Sequence, residues 1–124
     1  MEKRISFLDL QWINEPKDKI VKDKSVLIST DPETNLWNQT YINQTHHNAP
    51  MLVFEDEDEM TLTVKVDFHH LKKYDQCGLV VYITEGCWFK LCVEAMDAVA
   101  SKVITVVTQN GYSDQSSMNI ASQI

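Results

Sequence analysis

Residues 74–95, YDQCGLVVYITEGCWFKLCVEA, decide the fold. Two β-forming runs, Gly78–Thr84 and Cys87–Ala95, flank a two-residue connection, Glu85-Gly86. This pattern reads as a hairpin, with Gly at the second turn position to supply the positive φ of a tight turn. The second run alternates. Phe89, Leu91 and Val93 share one face, and Trp88, Lys90, Cys92 and Glu94 share the other. The apolar row is expected in a core. The mixed row, an aromatic with a cation and a carboxylate, is the best functional clue.

Other strands follow from shorter signals. Ile5–Trp12 reads as a first strand, ended before Pro16, and Lys17–Lys24 leads into a β-like run at Ser25–Thr30. Residues 31–50 read as a long polar loop with no helical period. Met51–Phe54 is a short strand. Met60, Leu62, Val64, Val66 and Phe68 alternate with polar residues, the clearest strand pattern in the chain. Lys102–Gln109 is a further strand, Asn110-Gly111 a turn signal, and Ser113–Ile124 polar and weakly patterned. Six or seven short strands, with no sustained 3.6-residue period, predict an all-β antiparallel sandwich or barrel in one domain, 1–124.

Composition narrows function. The chain has 124 residues, 44% of them hydrophobic, and a net charge of −7. That charge argues against nucleic-acid binding, which needs surplus Lys and Arg to neutralise phosphate. No apolar run approaches the roughly 20 residues of a membrane helix. The first dozen residues lack the apolar core of a secretory signal. Three cysteines, Cys77, Cys87 and Cys92, with no C-x-x-C spacing, read as free thiols in a reducing, cytoplasmic setting. The acidic run Glu55–Glu59 reads as a solvated turn; it lacks the Gly and ligand spacing of a calcium loop.

Catalytic patterns fail one by one. There is no G-x-S-x-G and no Cys/His signature, and the cysteines read as small strand hydrophobes. His46-His47 and His69-His70 are adjacent pairs, and neighbours on a strand point to opposite faces, so no metal site is expected. Three glycines in all leave no phosphate loop, and no cofactor is expected. Glycoside hydrolysis needs two carboxyls about 5–10 Å apart. The E-x-D-x-x-E pattern of sandwich glucanases is missing, because Met96 stands where the alternating carboxylate would be. An Asp75–Glu94 pair is the remaining option, so the chain reads as more a binder than an enzyme. Sugars stack on aromatic rings and hydrogen-bond to flat polar groups. Trp88 and Tyr82, bordered by Lys90, Glu94 and Gln76, offer both contacts. The same residues also read as ordinary packing and structural polar contacts on a half-wet face.

Tyr74-Asp75-Gln76-Cys77-Gly78-Leu79, Trp88-x-Lys90, Glu94, Val106-Val107-Thr108 and Ser113-Asp114 form an ordered set. Trp12-x-Asn14-Glu15-Pro16 and Thr34-x-x-Trp37-x-x-Thr40-Tyr41 precede it. Together they resemble the DUF1349 family, also called regulation-of-enolase-like. The resemblance implies a concanavalin A-like jelly roll, a two-sheet antiparallel sandwich. It implies shared polar residues at Asp75, Gln76, Trp88, Lys90 and Glu94, with Trp37 from the preceding loop. Family members continue for several strands past the point matching Ile124. The sandwich is therefore expected to lack C-terminal strands, and to be incomplete or completed by self-association. The expected function is a non-catalytic module that binds a carbohydrate on its concave face. The alternative is a regulatory or protein-interaction domain with a purely structural polar face, and a glycoside-active enzyme comes third.

Overall fold

The computed structural model describes residues 3–30, 33–40, 44–55, 59–67, 73–96 and 100–121. Apart from one 3-10 turn, every regular element among them is a strand, and every register is antiparallel. The all-β expectation holds. Among the described residues, no helix is long and apolar enough to cross a membrane. The chain divides into two compact units, residues 1–36 with 45–60, and residues 37–44 with 61–124.

In the first unit, Ile5–Trp12 is not one strand. Ser6 Oγ accepts a hydrogen bond from Leu8 N at 3.2 Å, and Asp9 N donates to Ser6 O at 3.1 Å. A serine hydroxyl that satisfies the backbone two residues on favours a turn over an extended ladder. Phe7–Asp9 is therefore a 3-10 turn, and the strand β1 is Gln11–Ile13. β1 pairs with β6, Met51–Val53. β2 (Asp18–Val21) and β3 (Val26–Ser29) make a hairpin closed by Lys22 N to Ser25 O at 2.8 Å. The stretch 31–50 is not loop throughout, because it includes the short strands β4 (Leu36–Asn38) and β5 (Thr45–His47).

The second unit is built on a four-stranded meander, ordered β10-β9-β8-β7. Its strands are β7 (Gln76–Thr84), β8 (Cys87–Ala95), β9 (Ala100–Gln109) and β10 (Tyr112–Ala121). The hairpin expected at 74–95 is present, but its turn differs. Gly86 does not use a positive φ. Instead the register shifts between the Tyr82 and Thr84 pairs, placing Ile83 as an extra residue. A bulge of this kind supplies the bend by itself. The positive-φ turn is the next one, Asn110 (φ 52) and Gly111 (φ 81). Gly111 N donates to Gly86 O at 3.1 Å, which ties the two turns together. Gly78 is required elsewhere: a Cβ there would collide with the Leu91 carbonyl and lie 2.7 Å from Cys92 Cα.

Two further expectations fail. Residues 60–67 form no strand, although they carry the cleanest alternation in the chain, and position 68 lies outside the described residues. Alternation supplies a face, but a strand also needs a neighbour to pair its N–H and C=O groups. Met60, Leu62 and Val64 are exposed. Conversely, the weakly patterned tail is the ten-residue strand β10. Ser, Gln and Asn conceal its period, yet the Asn-Gly turn had already set its register, with Tyr112 opposite Gln109.

Candidate functional site

The register of the meander assembles the mixed row. Tyr82 lies opposite Trp88, Val80 opposite Lys90, Gly78 opposite Cys92 and Gln76 opposite Glu94. On the other side of β8, Thr108, Val106, Ile104 and Lys102 face the same four residues. Cross-strand partners share a face, so one side of the sheet carries a cation–carboxylate row flanked by aliphatics.

That side is the buried one. Trp88 is 1% exposed, and Lys90 and Glu94 are each 7% exposed. The opposite row, expected in the core, is open: Phe89 is 49% exposed and Leu91 45%. The inside–outside assignment from the sequence is therefore reversed. The alternation correctly separated the two rows. It could not say which row would be covered, because either can be buried if its polar groups find partners.

Partners are present. Trp88 Nε1 donates to Asn38 Oδ1 at 3.3 Å. Asn38 Nδ2 donates to Glu85 O at 3.0 Å, and Asn38 N to Ser113 Oγ at 2.9 Å. Ser113 Oγ is 2.6 Å from Thr108 Oγ1. Asn38, Thr108 and Ser113 are all buried, so this is a closed polar network around the indole. Asn38 was missed in the sequence as a site residue. Its only signal was its place beside Trp37.

Further along the row, Lys90 Nζ lies 5.8 Å from the Trp88 ring centroid, within cation–π range. Burial pulls the Lys90 ammonium below the ordinary lysine value, and the neighbouring Cys92 and Glu94 act the other way. Burial pushes the Cys92 thiol up to about 11. A thiol at that value stays protonated at neutral pH and is a weak nucleophile. Gln76 Nε2 donates to Glu94 Oε2 at 3.2 Å, while Gln76 Oε1 is buried without a hydrogen-bond partner among the described residues.

The remaining candidates are Asp75, Trp37 and Tyr82, of which Tyr82 stands opposite Trp88 in this row. Asp75 is exposed, and its backbone carbonyl accepts from Ala95 N at 2.8 Å. Trp37 is buried, with Nε1 donating to Thr40 O at 2.7 Å. Tyr82 is half-buried. Of the three thiols, all free, Cys92 is the buried hydrophobe expected, while Cys77 is exposed and Cys87 intermediate. No group of three or more His, Cys, Asp or Glu gathers among the described residues, of which His69 and His70 are not part. Residues 56–58 of the acidic run are likewise outside them.

The upstream motifs have structural roles within the first unit. Asn14, at φ 55, donates from Nδ2 to His47 O at 2.6 Å and to Ala49 O at 3.0 Å. Lys19 Nζ reaches Pro16 O at 3.1 Å and Glu15 Oε1 at 2.9 Å.

The ordered motifs on this all-β frame are matched by a family model, described as a protein of unknown function (DUF1349), over residues 12–124. The chain belongs to the DUF1349 family. A curated relative, Regulation of enolase protein 1 of Saccharomyces cerevisiae, is 32% identical over 105 residues, covering 85% of this chain and 52% of the relative. A crystal structure of a functionally unknown protein from Saccharomyces cerevisiae superposes with a TM-score of 0.72 at 26% identity. That match covers 91% of this chain and 60% of the yeast chain. This DUF1349 chain thus spans about half the length of the curated relative it matches.

Proposed function

We propose that the chain is a non-catalytic β module that works by contact with another protein, its polar row serving to hold the sheet together. The observation that carries this reading is the reversal of the two rows, with Trp88, Lys90 and Glu94 buried and Phe89 and Leu91 open. A sugar site needs its aromatic face and polar groups within reach of solvent. The Trp88 indole is enclosed and its N–H already engaged by Asn38. A general acid or base needs access to its substrate, which burial denies Glu94. A yeast relative carries the name Regulation of enolase protein 1, which is in keeping with a regulatory role. Regulation by contact requires a surface and no catalytic group.

The second reading, a carbohydrate site, draws on one observation. Among the described residues Gln76 Oε1 finds no donor, beside Glu94 and at the end of the row nearest exposed Asp75. A ligand hydroxyl could satisfy it. A glycan array probed with the intact chain separates the readings. No saturable binding is expected. Saturable binding to any glycan that is lost in Lys90→Met, with the β spectrum intact, overturns the contact reading in favour of a ligand groove.

A further inference from the structure

The open side of the meander is large, continuous and almost free of charge. Leu79 and Val81 on β7, Phe89 and Leu91 on β8, Val107 on β9 and Met118 on β10 all point to it. Val81, Phe89, Leu91, Val107 and Met118 are each at least 45% exposed. Asp114, on the edge strand β10, is the one charged residue that the four strands place there. The chain as a whole carries −7, so its charge lies elsewhere.

Size can be set against need. The strands are nine, nine, ten and ten residues long. At about 4.8 Å between strands and about 3.3 Å per residue, the face measures roughly 19 by 30 Å, or about 570 Å². Thr105, Gln109, Asp114 and Ser116 take part of that area. Its apolar share therefore lies within the roughly 300–600 Å² of the largest apolar patch on a soluble monomer, a patch that is often an interaction site. Two such faces together bury about 1,100 Å², just above the roughly 1,000 Å² of a specific interface.

We infer that this face is covered by the same face of a second copy of the chain. The inference rests on the contact reading above and names the partner. A two-fold pairing uses one patch twice, so each copy must tolerate its own surface. A face with a single charge at one edge strand meets that condition, because no like charges meet across its centre. Two twisted sheets stack at about 10 Å with strands about 30° apart, and their inner rows interdigitate. The pair forms a β-sandwich whose core is the row holding Phe89 and Leu91.

The test uses the 124-residue chain in analytical ultracentrifugation from low to high micromolar concentration. The wild type is expected to be a dimer. Leu91→Lys should weaken it at least about 100-fold, as expected when a charge is buried unpaired at an interface. Ser117→Lys, the same charge on the opposite face, should leave it unchanged. Far-ultraviolet spectra show whether each variant keeps its β structure, and Val107→Lys stands in if Leu91→Lys does not fold. Isotope-filtered NMR should show intermolecular contacts from the Phe89 ring to the Leu91 and Val107 methyls. A folded wild-type monomer, or a dimer indifferent to both lysines, overturns the second copy. A monomer that binds bis-ANS strongly, and less strongly as Leu91→Lys, keeps the contact reading and points to a different partner. A monomer that ignores the dye overturns both.

Discussion

The two faces of the meander share a backbone and a register, yet they obey different rules. The face with Trp88, Lys90 and Glu94 has the polar composition of a surface and the burial of a core. The face with Phe89 and Leu91 has the composition of a core and the exposure of a surface. Hydrophobicity alone would exchange them. What permits the arrangement is pairing: the indole N–H meets Asn38, and Glu94 accepts from Gln76. Buried polar groups are tolerable when bonded, whereas apolar groups have no alternative to a covering surface.

The strongest way to break the comparison is to truncate neighbours in sequence. Trp88→Ala should cost about 3–5 kcal/mol of stability, the range for emptying a buried aromatic site. Phe89→Ala, half exposed, should cost about 1 kcal/mol when the chain is monomeric. Urea unfolding at low protein concentration measures both. Equal costs would mean that the two rows are equally buried in solution.

Alkaline pH gives the next largest effect. Cys92 moves from its ordinary value of 9.0 to about 11 in the folded chain. Between those values the unfolded chain releases the thiol proton and the folded chain keeps it, so the linkage disfavours folding as pH rises. Two pH units correspond to at most about 2.7 kcal/mol. Lys90 is shifted down by burial, which gives the opposite slope: the folded chain releases its proton first and gains stability as pH approaches 10.5. The two partly cancel in the wild type. Lys90→Met should steepen the alkaline loss, and Cys92→Ala should reduce it, leaving the loss from Cys77 and Tyr82, whose protons burial also holds. Both are read from urea midpoints across about pH 8–11.

The smallest effect is the most discriminating. Lys90→Met combined with Glu94→Gln at neutral pH removes the buried cation and the neighbouring carboxylate together and should change stability by no more than about 1 kcal/mol. A large loss would show that the charges of the row make bonds that neutral side chains cannot replace.

How much of this was legible varied by element. The hairpin was, because its alternation and its break at Glu85-Gly86 are local signals. The family resemblance was as well, since its motifs are ordered along nearly the whole chain. The burial of the mixed row was not. It depends on Asn38, 50 residues before Trp88, and no local pattern shows that such a distant side chain will meet the indole. The absence of a strand at 60–67 was hidden for a related reason, since pairing is a property of two segments and alternation of one. β10 shows the converse. Its own composition is mute, and its partner β9 dictates its path.

The bond from Gly111 N to Gly86 O has a chemical consequence as well as a geometric one. Asn-Gly pairs age by attack of the glycine nitrogen on the asparagine side-chain carbonyl carbon, which expels ammonia and closes a succinimide that water opens to aspartate or isoaspartate, and Asn110 is exposed. Here that nitrogen is held by a carbonyl in the neighbouring turn. The shelf life of the Asn110-Gly111 linkage is thereby tied to the integrity of the meander, and deamidation becomes a clock that runs when the sheet opens.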